Sequence, residues 1–165
     1  MPNANREYKD SVFRLIYTDP ENARELYAGL TGEMVAVQDI VVDPLGGILV
    51  NEMKHDISIR VGNRYLCIME HQSSYNANMP LRMFINAGEL YHRYLLSLDK
   101  RIFHRKKLVL IPDPEFITLC NGKDADKYPA QMRLSDAFGQ NSRKNLELLV
   151  QTHNIKFGAN APLLE

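Results

Sequence analysis

The sequence predicts an α/β fold in which a central sheet is flanked by helices, and three stretches carry that prediction. Residues 57–61 alternate apolar and polar side chains, Gly62-Asn63 is a turn signal and residues 65–69 are a short apolar run, which together are typical of two adjacent strands. Residues 8–30 show the apolar spacing of two consecutive helices, and a longer helix begins at Pro80. Helices before and after a group of strands indicate layers packed on a sheet.

The size and composition predict one soluble domain spanning residues 1–165. The chain has 45% hydrophobic and 24% charged residues, which is ordinary for a globular protein, and it contains no run of eighteen apolar residues. We therefore expect no membrane span. The first seven residues lack the apolar core of a signal peptide, which predicts a cytoplasmic location. Cys67 and Cys120 lack CxxC spacing, so we expect two buried thiols rather than a zinc site or a disulfide.

The charge balance gives no general attraction to nucleic acid, because 20 basic and 20 acidic residues cancel. A local basic patch between Lys100 and Lys107 is the best candidate for phosphate contacts, through Lys106 and Lys107 in particular. The alternative interpretation is a solvated loop whose lysines keep the following apolar segment soluble.

The first helices have clear boundaries. Asp19 and Pro20 form an N-cap and a first-turn proline, and Gly32 is a stop signal for the same helix. Asp10 lies in the preceding helix at the edge of its apolar stripe. One interpretation of Asp10 is a surface helical residue next to Lys9.

The first core strand has two candidates, residues 35–42 and residues 48–53, separated by a predicted turn at residues 43–47. After the long helix, we expect strands at residues 108–111, 116–120 and 146–152, and a short helical connector at residues 134–138. In the long helix, Arg82 shares the predicted polar face. Its predicted buried face comprises Leu81, Phe84, Ile85, Gly88, Tyr91 and Leu95.

Two carboxylates are expected to meet at one end of the sheet. Asp56 opens the first strand of the hairpin and Glu70 closes the second. In a hairpin the start of one strand lies beside the end of the next, and paired carboxylates can hold a hard divalent cation. Glu70 and Gln72 share one strand face by alternation, whereas His71 points to the other.

The sequence around these residues resembles that of a known family. Asp56, Glu70 and Gln72 match the Asp…Glu-x-Lys motif of PD-(D/E)XK nucleases, with glutamine replacing lysine. Four sequence segments resemble the recombination-promoting nuclease (Rpn) family, a transposase-like branch of that superfamily, and the resemblance extends from about Tyr8 to the C-terminus. These segments are His55-Asp56-Ile57-Ser58, Val61-Gly62-Asn63-Arg64, Glu70-His71-Gln72-Ser73-Ser74 and Asn78-Met79-Pro80-Leu81-Arg82.

The resemblance implies a restriction-endonuclease-like core of αβββαβ order with a mixed central sheet, and a metal-dependent DNA endonuclease. It leaves open whether the setting is a mobile element, recombination or phage defence. Asp56, Glu70 and the main-chain carbonyl of His71 would bind Mg²⁺ or Mn²⁺, Asp10 could contribute to a second ion, and Gln72 would orient the attacking water. Arg82, Lys106 and Lys107 would contact DNA. The sequence leaves the oligomeric state open, and cutting two strands, which generally uses two active sites, favours a homodimer.

Two alternatives remain open. His55 and His71 lack HExxH or paired-cysteine spacing, so they are a weak zinc pattern. The resemblance also implies that relatives continue past residues 157–160, whereas this chain ends at Glu165, either as a natural short form or as a fragment. A non-catalytic module that pairs with or regulates a longer relative is therefore the second hypothesis.

Overall fold

The structure is a computed structural model that describes residues 15–45, 56–71, 75–139 and 145–155, with the main chain alone at residues 44, 45, 56 and 69–71. Within these ranges, two helices and six strands form the framework. The helices are α1 (Pro20–Thr31) and α2 (Met79–Leu98). The strands are β1 (Ile40–Leu45), β2 (Asp56–Val61), β3 (Arg64–His71), β4 (Asp113–Cys120), β5 (Gln131–Arg133) and β6 (Leu149–Asn154).

The six strands form one mixed sheet in the order β1-β2-β3-β4-β6-β5. Strands β1, β2 and β3 form an antiparallel meander, β4 and β6 continue in parallel, and β5 closes the far edge antiparallel to β6. An α/β fold with a mixed sheet flanked by helices is thus confirmed. The predicted connector is also present, as a 3₁₀ helix at Leu134–Phe138.

Each face of the sheet is covered by one helix. The α1-side face packs Ala23 and Tyr27 of α1 against Ile57, Ile59, Leu66, Ile68, Ile117 and Leu119. The α2-side face packs Met79, Met83 and Leu90 of α2 against Tyr65, Cys67, Phe116 and Val150. Cys67 and Cys120 are both buried thiols that do not form a disulfide, as predicted.

Helix α1 begins and ends at its predicted signals. The Asp19 carboxylate accepts hydrogen bonds from the amides of Glu21 and Asn22, at 3.0 and 3.2 Å. Gly32 ends the helix with a φ of 74°, a left-handed conformation that glycine adopts without steric cost. Residues 15–17 are helical as well, whereas the rest of the predicted first helix, including Asp10, lies outside the described residues.

The hairpin of β2 and β3 also confirms its prediction. Gly62 has a φ of 55° in the turn, and Ile57 pairs with Ile68. Arg64, at the start of β3, donates to Glu33 at 2.8 Å and forms a second ion pair with Glu115. This arginine joins the segment after α1 to two strands of the sheet.

The predicted turn at residues 43–47 is wrong in its first half. Asp43 pairs with Ser58, and β1 continues to Leu45, which pairs with Asp56. Proline at position 44 is compatible with this strand because, within the described part of the sheet, β1 is an edge strand. Of the two candidates for the first strand, the earlier one is shifted to Ile40–Leu45, and residues 48–53 lie outside the described ranges.

The predicted strand at residues 108–111 is absent, and the register of β3 and β4 explains why. Asp113, the first residue of β4, pairs with Arg64, the first residue of β3. Residues before Asp113 therefore run past the start of β3, and none of the described strands pairs with them. Leu108 and Leu110 are instead 82% and 76% exposed. The strands predicted at residues 116–120 and 146–152 are present, as parts of β4 and β6.

The buried face of α2 differs from its prediction. Leu81, Phe84 and Ile85 are exposed, and the core instead receives Met79, Met83, Asn86, Ala87 and Leu90. Apolar side chains occur around most of the helix circumference, so their spacing did not distinguish the stripe that packs on the sheet.

The corrected orientation of α2 predicts unequal effects for two substitutions on the same helix. We expect Leu90→Ala to lower the free energy of unfolding by about 2–5 kcal/mol, because it leaves a cavity in the core. We expect Leu81→Ala, the matched control, to change it by about 0.5 kcal/mol or less because Leu81 is exposed. Urea unfolding followed by circular dichroism measures both, and an equal or reversed ranking would show that the other face is buried.

Candidate functional site

Asp56 and Glu70 lie at the same end of the sheet. Asp56 is the first residue of β2, and Glu70 is the last but one of β3. Because these strands are antiparallel and Ile57 pairs with Ile68, the start of β2 lies beside the end of β3. The main chain thus brings together the two positions that the sequence predicted as metal ligands.

The register also assigns each position to a face of the sheet. Glu70 follows Ile68 by two residues and pairs with Leu119, so it occupies a position on the α1-side face. Asp56 precedes Ile57 by one residue, so regular alternation gives it a position on the α2-side face. An ion held by both residues therefore requires a break in alternation at one of the two strand ends.

Among the side chains that the structure describes, no group of three or more His, Cys, Asp or Glu could hold a metal ion. The side chains of Asp56 and Glu70 lie outside that set, as do Asp10, His55 and Gln72 altogether. The main chain of His71 pairs with Cys120 in the last register position of β3 and β4. These ligand assignments stay predictions.

Two tyrosines flank the start of α2 at this end of the sheet. The Tyr128 hydroxyl accepts a hydrogen bond from the amide of Asn76 at 3.1 Å, and the Tyr75 ring packs edge-on against Tyr128 at 4.9 Å. Burial raises the pKa of Tyr128 to about 12, so its hydroxyl is neutral at physiological pH. This contact fixes the chain just before α2, on the segment that follows Glu70 and Gln72.

The predicted DNA contacts fall at two distant places. Arg82 lies in the first turn of α2, half-buried, with Nη1 4.0 Å from the Met79 sulfur. Lys106 and Lys107 follow the other end of that helix and are exposed. Since a helix of this length spans roughly 30 Å, the structure does not bring the two lysines close to Arg82.

The structure also contains a group of polar residues that the sequence did not single out. Asp43, Arg60 and Tyr65 lie on adjacent strands of the α2-side face and line a cavity with Tyr94 of α2. Asp43 had been predicted in a turn, and Arg60 and Tyr65 as ordinary strand residues. The one sequence feature that pointed to this group is the alternation of Ser58 and Arg60 with Ile57 and Ile59. It places Arg60 on the opposite face of the sheet from the two isoleucines.

Comparison with protein-family models, with curated proteins and with solved structures found no match to this chain. No helix in the described ranges is long and apolar enough to cross a membrane. The resemblance to recombination-promoting nucleases therefore stays an interpretation of the sequence.

The contact between Asn76 and Tyr128 predicts a local effect of one substitution. Tyr128→Phe removes the acceptor of the Asn76 amide, and a lost hydrogen bond of about 1 kcal/mol corresponds to roughly fivefold faster amide exchange. Tyr75→Phe keeps the same ring contact and the same acceptor, so it is the matched control. Hydrogen exchange resolved by NMR measures both, and unchanged exchange in Tyr128→Phe would contradict the contact.

Proposed function

We propose that this protein is a metal-dependent DNA endonuclease that hydrolyses phosphodiester bonds. The observation that carries the proposal is the position of Asp56 and Glu70 at one end of adjacent antiparallel strands. The order of elements supports it: a helix, three antiparallel strands, a second helix and a parallel strand. That is the order of the PD-(D/E)XK core that the sequence resembles.

The roles of the residues follow from phosphodiester chemistry. Hydrolysis needs an oriented water and stabilisation of the negative charge that develops on the phosphate and on the leaving 3′ oxygen. Asp56, Glu70 and the carbonyl of His71 would form an all-oxygen ligand set, which suits Mg²⁺ or Mn²⁺ better than Zn²⁺. When bound, such an ion supplies Lewis acidity and lowers the pKa of a coordinated water. Asp10 would contribute to a second ion.

Gln72 distinguishes this chain from nucleases that carry lysine in the motif. Its amide can accept and donate hydrogen bonds to orient the attacking water, but it carries no charge and does not act as a base at ordinary pH. The metal ligands therefore carry more of the electrostatic stabilisation. We expect modest and strongly metal-dependent activity.

The proposal imposes one geometric condition. Asp56 and Glu70 can share an ion only if the main chain departs from regular alternation near one of them. A β-bulge shifts side chains in this way, and bulges are frequent at sheet ends and beside active sites. In the structure the register is regular through both residues, with Asp56 opposite Leu45 and Glu70 opposite Leu119, so the proposal requires one of these strand ends to shift when the ion binds.

A non-catalytic interaction module is the second candidate, and the exposed apolar side chains of α2 favour it. Leu81, Phe84 and Ile85 are each about 40% exposed on consecutive turns of the helix. Exposed apolar patches mark association surfaces when they are contiguous. The zero net charge agrees with a protein partner better than with nucleic acid.

Substitution of the two acids tests catalysis. We expect Asp56→Ala and Glu70→Ala each to lower plasmid cleavage in Mg²⁺ by about 100-fold or more, because each removes a charged metal ligand. Asp136→Ala is the matched control, an exposed acid in the Leu134–Phe138 helix, and should cleave like the parent.

Each outcome of that assay decides between the candidates. Cleavage that survives both alanine variants assigns the chemistry to other residues and removes the proposed site. A parent protein with no cleavage and no heat of Mg²⁺ binding, but with self-association that Phe84→Glu abolishes in light scattering, supports the interaction module instead.

The basic segment predicts a change in the salt dependence of DNA binding. Each phosphate contact contributes a slope of about 0.9 to the fall of log K with log salt concentration, so the double variant Lys106→Gln/Lys107→Gln should reduce the slope by up to about 1.8. Lys127→Gln is the control for charge alone, since Lys127 pairs with Asp124 at 2.8 Å. Fluorescence anisotropy at several salt concentrations measures the slopes, and equal slopes would place these lysines in a solvated loop.

A further inference from the structure

A cavity of about 400 Å³ lies between the C-terminal half of α2 and strands β1 to β3. Its floor is formed by Asp43, Arg60 and Tyr65, and Tyr94 and Arg93 of α2 contribute to its wall. The volume falls within the range of pockets that bind small molecules. Arg60 is four residues from Asp56 along β2, about 13 Å in a strand, whereas Asp43 lies opposite Ser58, two residues from Asp56. The Arg60 part of the cavity is therefore the part that lies away from the proposed nuclease site.

Among the described residues, Arg60 forms no ion pair in the cavity, and its guanidinium contacts the neutral Tyr65 hydroxyl instead. Its guanidinium carbon lies 6.0 Å from the centroid of the Tyr94 ring, and its Nε atom is buried without a hydrogen-bond partner among the described residues. Within the same residues no carboxylate forms an ion pair with it; Asp43 lines the cavity but accepts from the Tyr65 hydroxyl instead, at 3.2 Å. A half-buried cation that lacks an anionic partner is costly unless a ligand supplies one.

The remaining lining residues indicate which other chemical groups the cavity can accommodate. Arg93 adds a second guanidinium to the lining of the cavity. The Tyr65 ring is fixed edge-on between Tyr91 and Tyr94, at 6.1 and 6.0 Å. Val41, Leu90 and Leu98 provide apolar surface around these polar groups.

We propose that this cavity binds a small organic anion with an aromatic or apolar body. Its phosphate or carboxylate group pairs with the Arg60 guanidinium, whose planar fork matches either oxyanion. Its body lies against Tyr94 and Leu98, and a donor group on it reaches Asp43, whose carboxylate can accept more than one hydrogen bond. Binding at this site does not depend on the proposed nuclease function.

Isothermal titration calorimetry on the full chain in EDTA tests the proposal, because chelation removes any metal-dependent binding. The probes are adenosine 5′-monophosphate, which tests binding of a phosphate group, benzoate, which tests binding of a carboxylate group, and adenosine as the uncharged control. We expect at least one anion to bind and adenosine not to bind. The probe that binds shows whether the cavity takes a phosphate or a carboxylate. Absence of binding by both anions at millimolar concentration overturns the proposal.

Two variants assign that binding to the cavity. Arg60→Gln should weaken the binding of the anion by about tenfold or more, since a charge-assisted contact is lost, whereas Arg101→Gln, an exposed arginine outside the cavity, should leave it unchanged. Arg93→Gln is the second variant, because Arg93 is exposed on α2 and its substitution is compatible with folding. Affinity unchanged in Arg60→Gln and in Arg93→Gln overturns the proposal, as does equal affinity for adenosine.

Discussion

The pairing of β2 with β3 is the constraint on which the rest of the structure depends. Ile57 lies opposite Ile68, and a shift of one residue would transfer every side chain of β2 to the other face of the sheet. Both faces are covered, one by α1 and one by α2, so such a shift would put Ser58 and Arg60 into the apolar core beneath α1 and would remove Ile57 and Ile59 from it. The Gly62 turn and the two cores therefore specify the same register.

That register has opposite consequences for the two candidate sites. It collects Asp43, Arg60 and Tyr65 on one face, where their contacts define a cavity. It gives Asp56 and Glu70 positions on different faces, although it aligns the strand ends that carry them. Convergence at one end of a sheet and convergence on one face are separate conditions, and a shared metal ion needs both.

Local signals in the sequence predicted the elements that depend on local chemistry. Asp19, Gly32 and Gly62 set a helix start, a helix stop and a hairpin, because capping and positive φ are properties of a few neighbouring residues. Residues 108–111 have strand-forming side chains but no strand, because β4 begins level with the start of β3 and none of the described strands extends beside them. The contact of Asn76 with Tyr128 and that of Asp43 with Tyr65 join segments distant in sequence, which no local pattern encodes.

The buried face of helix α2 also depends on contacts that are distant in sequence. Helix α2 carries apolar side chains on most sides, and packing against the sheet buries Leu90 and leaves Leu81 exposed. The acids at positions 56 and 70 were predictable as neighbours from the hairpin alone. The face of the sheet on which each side chain lies was less predictable. Alternation determines the face within a regular strand, but a bulge at the strand end can change it.

Strand β3 lies inside the sheet, yet its two neighbours are separated widely along the chain. Arg64 pairs with Val61 across a tight turn on one side and with Asp113 on the other. During synthesis from the ribosome, the second edge of β3 has no native strand to pair with until β4 has emerged. An apolar edge left open for that interval is a site for intermolecular strand pairing. The nascent chain is therefore most exposed to aggregation between completion of the hairpin and arrival of Cys120.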